Sequence, residues 1–134
     1  MFEIVRKELN TLIDTKNFFI AFYDEKNDML SSNIDKDEKD EIPVWSAKNS
    51  LTGYVIKKKK SFLFSKEDIV SLVNKGEAEL IGTLPETWLG VPLIINQKVI
   101  GVIAVQDYYN KNAYDKHSLE LLEIISKLLS IYIE

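Results

Sequence analysis

The fold of this chain is decided by two apolar stretches, WLGVPLII (Trp88–Ile95) and VIGVIAVQ (Val99–Gln106). Both are rich in β-branched residues and have the length of long strands. Asn96-Gln97 separates them at the spacing of a hairpin turn. Pro92 removes one backbone donor from the first stretch, which predicts a sheet edge or a bulge nearby. The pattern therefore predicts a hairpin of two long antiparallel strands.

Shorter patterns precede this hairpin in the sequence. Apolar residues recur at helical spacing between Phe2 and Ile13, which predicts a helix over residues 2–15. Residues 18–23 are apolar and aromatic, and they predict a strand that is covered on both faces. The elements predicted next are a turn at 24–28, a returning strand at 29–34 and a charged loop at 35–41.

The middle of the chain predicts two helices around a short strand. Asn49 or Ser50 can cap a helix over residues 49–59, and residues 61–64 predict the strand. Ser65 stands three residues before Asp68, which is the spacing of a capping box. Gly76 can end that helix in a left-handed conformation.

The last predicted helix covers residues 116–133, with Asp115 as its N-cap. Its apolar residues occupy more than one stripe, so one side must pack on the sheet and another on something else. A partner subunit is the simplest candidate for that second contact. Hairpins at both ends, with helices between them, indicate an α+β fold with a mainly antiparallel sheet.

Composition excludes several classes of protein. The chain has 134 residues, which is the size of one domain, and its net charge is −4. It contains no cysteine and one histidine, which excludes a disulfide scaffold and thiol catalysis and leaves little for a zinc site. A mildly acidic chain does not provide the basic face that nucleic acids require. It has no run of 18 apolar residues and no signal-peptide pattern, so we expect a cytoplasmic location.

The hairpin sequence resembles that of GAF domains, and other segments agree in order along nearly the whole chain. Asn17–Asp24 is similar to the first strand of GAF domains, and Leu51–Ile56 is similar to the helix that precedes their third strand. Ala113-Tyr114-Asp115, followed by Leu119–Leu122, is similar to the entry to their last helix. Taken together, these segments most resemble the GAF modules of bacterial sensor histidine kinases and related signalling proteins.

The resemblance implies a GAF/PAS-like α+β fold with a five- to six-stranded antiparallel sheet in the order 2-1-5-4-3. It implies that the N- and C-terminal helices pack on one face and often form a dimer. The middle helices and loops would then close over the other face, where a small ligand can bind. Residues 1–134 are expected to form a single domain of this type.

Departures from the family pattern reduce the number of GAF functions that this chain can have. Asn96-Gln97 replaces a turn that contains glycine in relatives, so Gln97 must accept a positive φ. Lys48-Asn49-Ser50 stands where relatives often have glycine. The signature of cyclic-nucleotide-binding relatives does not align, because Ile20 stands where its phenylalanine is expected. Relatives that attach a bilin covalently, or that reduce free methionine sulfoxide, need a cysteine that this chain lacks.

Aromatic residues and one amide are the candidate ligand-binding residues, because small-molecule sites are mostly apolar with a few polar groups. Gln106 ends an apolar strand and shares the alternating face of Val102 and Ala104. The alternative for the aromatic residues is ordinary core packing, and for Gln106 a backbone hydrogen bond at the strand end. The candidates are Phe19, Tyr23, Trp45, Tyr54, Phe64, Trp88 and Gln106.

Three charged features are interpreted as structural or solvated. The run Lys57–Lys60 lies at a helix C-terminus, where cations complement the helix dipole, although it could also be a phosphate or acidic-lipid patch. The acidic residues of 35–41 lack the glycine and ligand spacing of an EF-hand loop. His117 has no evident nucleophile partner, which favours an exposed structural residue.

The sequence thus predicts a small-molecule-sensing domain of a bacterial signalling protein, with a histidine kinase as the expected output. It would be a homodimer through its terminal helices, would catalyse no reaction itself, and would bind no metal or covalent cofactor. The alternative is a ligand-free dimerisation or interaction module whose pocket is filled by side chains.

Overall fold

The computed structural model describes residues 2–36, 39, 44–48 and 50–133, and within these residues it contains four helices and six strands. In chain order they are α1 (Phe2–Leu9), β1 (Phe18–Asp24), β2 (Met29–Lys36), β3 (Val44–Ser46), α2 (Leu51–Lys58), β4 (Phe62–Ser65), α3 (Lys66–Asn74), β5 (Thr87–Ile95), β6 (Lys98–Asp107) and α4 (Lys116–Ile133).

The strands form one antiparallel sheet in the order β3-β2-β1-β6-β5-β4. The five strands expected from the sequence keep the order 2-1-5-4-3 relative to one another. The sheet differs from that expectation by β3, which pairs with β2 at the sheet edge through Met29↔Ser46 and Ser31↔Val44. Three residues are too few to show a period-two pattern, so β3 depends on its partner strand rather than on its own sequence.

The β5–β6 hairpin has the geometry predicted for it. Ile95 pairs with Lys98, so Asn96 and Gln97 form a two-residue turn with φ values of 51° and 68°. Both values are positive, as in the type I′ turn that matches the twist of a hairpin. Pro92 lies beyond the four β5 residues that pair with β4, and an irregularity in the β5–β6 register follows it between Leu93 and Ile94. Its missing N–H therefore costs the β4–β5 ladder no hydrogen bond.

Each face of the sheet has its own hydrophobic core. The terminal-helix face packs Leu9 of α1 and Leu122 and Leu129 of α4 against alternate residues of the central strands. The opposite, middle-helix face packs Val55 of α2 and Ile69 of α3 against the intervening residues. This arrangement of the helices is the one that the family resemblance implied.

The helix starts follow the predicted caps. Ser50 is the N-cap of α2, and its hydroxyl accepts the N–H of Gly53 at 2.9 Å. Ser65 and Asp68 form the capping box of α3 through reciprocal bonds of 3.1 and 3.0 Å. Asp115 accepts the N–H of Ser118 at 3.0 Å at the start of α4. That backbone N–H, and then the Ser118 hydroxyl, lower the pKa of the Asp115 carboxyl.

Two predicted boundaries were wrong. The first helix ends at Leu9 rather than at residue 15. Asn10 explains the early end, because its side-chain oxygen accepts both the N–H and the hydroxyl of Thr15, at 3.1 and 2.8 Å, and so competes with the helical ladder. The second error concerns β2, which extends to Lys36, so the predicted loop at 35–41 begins later. Residues 37, 38, 40 and 41 lie outside the described residues.

We expect Gln97→Gly to stabilise the protein. A left-handed conformation costs an L-residue about 1 kcal/mol, and the greater freedom of glycine in the unfolded chain offsets roughly half of that gain. The melting temperature should therefore rise by about 2 °C in calorimetry. Lys75→Gly is the control, since Lys75 has φ −82° and should lose stability on the same change. A lower melting temperature for Gln97→Gly would contradict the turn geometry.

Candidate functional site

The structure brings the six predicted aromatic residues to the middle-helix face of the sheet. They form two neighbouring clusters on that face. Phe64 and Trp88 belong to the core under α2 and α3, with Tyr54 packed against it. Tyr23 and Trp45 pack beside Ala21 and Leu30 near the β3 edge, and Phe19 touches both clusters.

The first cluster is a continuous aromatic stack. The ring of Phe64 lies between those of Phe62 and Trp88, with centroids 5.1 and 6.0 Å apart and interplanar angles of 16° and 19°. Tyr54 of α2 contacts both Phe62 and Phe64, at 5.1 and 6.0 Å. These separations are typical of favourable aromatic pairs. The stack therefore joins α2 to strands β4 and β5.

Gly90 provides the space in which the Trp88 indole lies. A Cβ atom on Gly90 would be 2.3 Å from the Cη2 atom of that indole, which is too close for any real contact. Since the two residues are two apart on one strand, both are on the same face of the sheet. Only glycine at position 90 allows the indole to lie flat along β5.

A second glycine lets α2 approach the sheet edge. A Cβ on Gly53 would lie 1.7 Å from the carbonyl oxygen of Ala47, so the first turn of α2 packs directly on the backbone that follows β3. Lys59 then ends α2 in a left-handed conformation with φ 55°. The helix is thereby held between the β3 edge and the aromatic stack.

The second cluster includes a polar group. Phe19 and Trp45 meet edge to face at 5.6 Å. The hydroxyl of Tyr23 donates to the Asp28 carboxylate at 2.7 Å. That hydrogen bond, followed by burial and nearby carboxylates, raises the pKa of Tyr23 to about 12. Tyr23 is therefore a neutral phenol over the physiological range of pH.

Gln106 lies directly opposite Trp88 in the β5–β6 pairing. Its side-chain amide donates to the hydroxyl of Tyr108 at 3.1 Å, and its backbone N–H donates to the carbonyl of Asn17 at 3.0 Å. Hydrogen bonds of both its side chain and its backbone therefore hold Gln106 in place. The Lys39 ammonium lies 5.6 Å from the centre of the Tyr108 ring.

Sequence reasoning missed Phe62, Tyr108 and Lys39. Phe62 and Tyr108 are each two residues from a predicted site residue on the same strand or at its end, so the period of two could have found them. Lys39 lies in a charged loop, where no sequence pattern relates it to the end of β6. The role of these residues and of the seven candidates in binding a ligand stays a prediction.

Other candidate constellations show no comparable convergence. Within the described ranges, no group of three or more His, Asp or Glu residues is placed to hold a metal ion. His117 is exposed in the first turn of α4. In the same ranges, no helix is long and apolar enough to cross a membrane.

Comparison with known families identifies the family to which this fold belongs. The family model of the GAF domain matches residues 1–134. A six-stranded antiparallel sheet with the terminal helices on one face and the middle helices on the other agrees with that match. The chain therefore belongs to the GAF domain family, a family of signalling and sensing domains.

Solved structures agree on the fold at low sequence identity. The GAF domain of an Acinetobacter phosphoenolpyruvate-protein phosphotransferase has a TM-score of 0.75 and 18% identity, over 97% of this chain and 77% of that one. The second GAF domain of DevS from Mycobacterium smegmatis has a TM-score of 0.71 and 15% identity, over 98% and 88%.

An enzyme with this fold is also among the similar structures. A type II free methionine-R-sulfoxide reductase from Thermoplasma acidophilum has a TM-score of 0.76 and 13% identity, over 97% of this chain and 87% of that one. At such identities the likeness concerns the fold alone. Comparison with curated proteins gives no match.

We expect Gly90→Ala to displace the Trp88 indole and to destabilise the protein by roughly 1–3 kcal/mol, as overpacking of a core does. In a Trp45→Phe background, Trp88 is the remaining tryptophan, so its fluorescence emission should shift to the red in the native state. Gly76→Ala is the control. It strains a positive φ of 74° with nothing within 4 Å, and should lose stability without a spectral shift. Unchanged emission for Gly90→Ala would refute the packing described here.

Proposed function

We propose that this chain is the small-molecule-sensing domain of a bacterial signalling protein, of the kind that controls a histidine kinase. A ligand held under α2 among the aromatic residues and Gln106 would favour one packing of the middle helices. The domain would catalyse no reaction itself and would act in the cytoplasm. The proposal is based on one observation. The same central strands contribute to the aromatic site on one face and support α4 on the other.

The physical link between the two faces is the alternation along β5. Trp88 points into the aromatic stack, while Leu89 and Val91 pack in the core that contains Leu122 of α4. A shift of β5 that follows the indole would therefore move the surface on which α4 lies. Because close-packed cores rearrange between discrete packings rather than deforming smoothly, a small change at the site can select between two positions of α4.

The outer side of α4 supports assembly into a homodimer. Ile124, Leu128 and Ile131 are 56%, 52% and 68% exposed, and with Leu121 they follow the 3-4-3 spacing of a coiled-coil seam. Leu122 and Leu129, by contrast, are buried against the sheet. The exposed stripe would pair with its copy in a partner chain, next to α1, and would continue into an output module.

A ligand-free interaction module is the second candidate. The observation that favours it is the close packing of the aromatic side chains on one another, with Trp88 only 3% exposed and Phe64 only 8% exposed. In that case the stack is a core, and the domain serves to join two chains.

A metabolite screen distinguishes the two candidates. We expect at least one small molecule to raise the melting temperature of the full chain. Gln106→Leu should weaken its binding roughly tenfold, because one buried hydrogen bond contributes about 1–1.5 kcal/mol. Val70→Ala, on the exposed side of α3, is the control and should bind normally. A ligand that binds both variants equally would contradict the assigned site, and the absence of any ligand would favour the interaction module.

Introducing charged residues into the exposed apolar stripe of α4 tests the proposed dimer. Ile124→Glu with Leu128→Glu should give a monomer in analytical ultracentrifugation at concentrations where the wild type is a dimer, because two buried carboxylates per chain would face each other. Val70→Glu with Val73→Glu makes the same change on two exposed residues of α3 and should leave the dimer intact. A dimer that survives the α4 change would refute this interface.

A further inference from the structure

A groove runs along one flank of α4, at the sheet edge where β5 continues past the residues that pair with β4. It lies between α4, the end of α2 and strand β5, and it has a volume of about 420 Å³. Three lysines, Lys59, Lys60 and Lys127, line it together with an apolar wall of Pro92, Ile94 and Leu119. We call it the α4 groove.

A smaller depression of about 230 Å³ extends the α4 groove towards the β5–β6 turn. It shares Ile94 and Lys127 with the main groove and adds Ile131 and Asn96. The apolar wall therefore continues past the lysines along α4. A ligand in this position would meet positive charge at one end and apolar surface along its length.

The backbone at the end of α2 directs the side chains of the lysine run to different sides of the molecule. Lys58 turns towards the middle-helix face, where its ammonium lies 5.6 Å from the centre of the Tyr54 ring. Lys59 is the left-handed C-cap, and from there Lys59 and Lys60 line the α4 groove. A run that the sequence assigned to the solvated end of a helix is thus brought beside Lys127, sixty-seven positions from Lys60 along the chain.

The charge balance of the groove is positive in a chain that is negative overall. Among the described residues, no carboxylate lies within 4.0 Å of the ammonium groups of Lys59, Lys60 or Lys127. Of the groove's described lining residues, Glu123 supplies the negative charge, and the Ser61 hydroxyl donates to it at 2.9 Å. Three ammonium groups against one partly satisfied carboxylate leave an excess of positive charge.

We propose that the α4 groove binds a phosphate ester that carries an apolar group. The phosphate oxygens would contact the ammonium groups of Lys60 and Lys127, since lysine binds phosphate as a mobile point charge. The apolar group would lie on Pro92, Ile94 and Leu119. Both a soluble organic phosphate and a phospholipid provide this chemistry.

The direct test uses phenyl phosphate and the full chain, followed by amide shifts in NMR. Shifts should concentrate at the amides around Ser61, Leu119 and Lys127. Lys60→Gln with Lys127→Gln should weaken binding roughly five- to tenfold, because a partly exposed charge contact contributes up to about 1 kcal/mol. Lys57→Gln with Lys75→Gln removes two charges outside the groove. This change should alter binding less than twofold, because salt screens the interaction of these exposed charges with the ligand.

Two further arms complete the test. Glu123→Gln removes the repelling carboxylate and should tighten the binding of phenyl phosphate, and inorganic phosphate should bind more weakly because it lacks the apolar group. Flotation of the protein with phosphatidylcholine vesicles, with and without phosphatidylglycerol, tests a phospholipid as the ligand. A phospholipid is the source of the phosphate if the protein floats only with the anionic vesicles and the Lys60→Gln, Lys127→Gln variant does not float. Equal weakening in both lysine pairs, or shifts confined to the aromatic face, would overturn the proposal.

Discussion

Strand β6 is apolar on both of its faces, and the rest of the structure depends on this constraint. Val102, Ile103, Ala104 and Val105 are all fully buried, although successive side chains point to opposite sides of the sheet. Neither face can be left to water, so helices must cover both. The terminal helices cover one side and the middle helices the other, and every candidate site in the molecule lies under or beside one of those two layers.

The two layers differ in how they are filled. Aliphatic side chains dominate the core beneath α1 and α4. The core beneath α2 is built from stacked rings around Trp88, held close by glycines at positions 53 and 90. Aromatic surfaces with a few polar groups, such as Gln106 and Tyr23, are the usual composition of a site that recognises small molecules. The contrast gives the middle-helix face a sensing role and the terminal-helix face an output role in the function proposed here.

Helix α4 is the element on which the proposals meet, because its surface is used on three sides. Leu122 and Leu129 face the sheet, Ile124 and Leu128 face outward, and Lys127 lines the α4 groove. The angular spacing of a helix separates these roles, since residues one or two positions apart point in different directions. An anion in the α4 groove and a partner on the outer stripe would therefore act on the same helix through different side chains, except for Ile131, which belongs to the stripe and also lines the extension of the groove.

Much of the fold was predictable from local chemistry. Short runs of apolar and aromatic residues located five strands, and Asn96-Gln97 marked the hairpin. Asn49 or Ser50, Ser65 and Asp115 marked helix starts, because each of these signals depends on neighbours in sequence. The seven candidate residues lie on one side of the sheet, six of them through the alternation of their strands and Tyr54 through helix α2, which covers that side. Strand β3, the early end of α1 at Asn10, and the contacts of Gln106 with Tyr108 were not predictable with the same rules.

By itself, then, the sequence determined the two-sided burial of the central hairpin and the secondary structure built around it, since these follow from short-range periodicity. Only the tertiary structure decided that Lys60 and Lys127 share a groove and that Trp88 stacks on Phe64. Those contacts join residues far apart in the chain. They are set by sheet register and by the left-handed conformation of Lys59, which redirects the chain after α2.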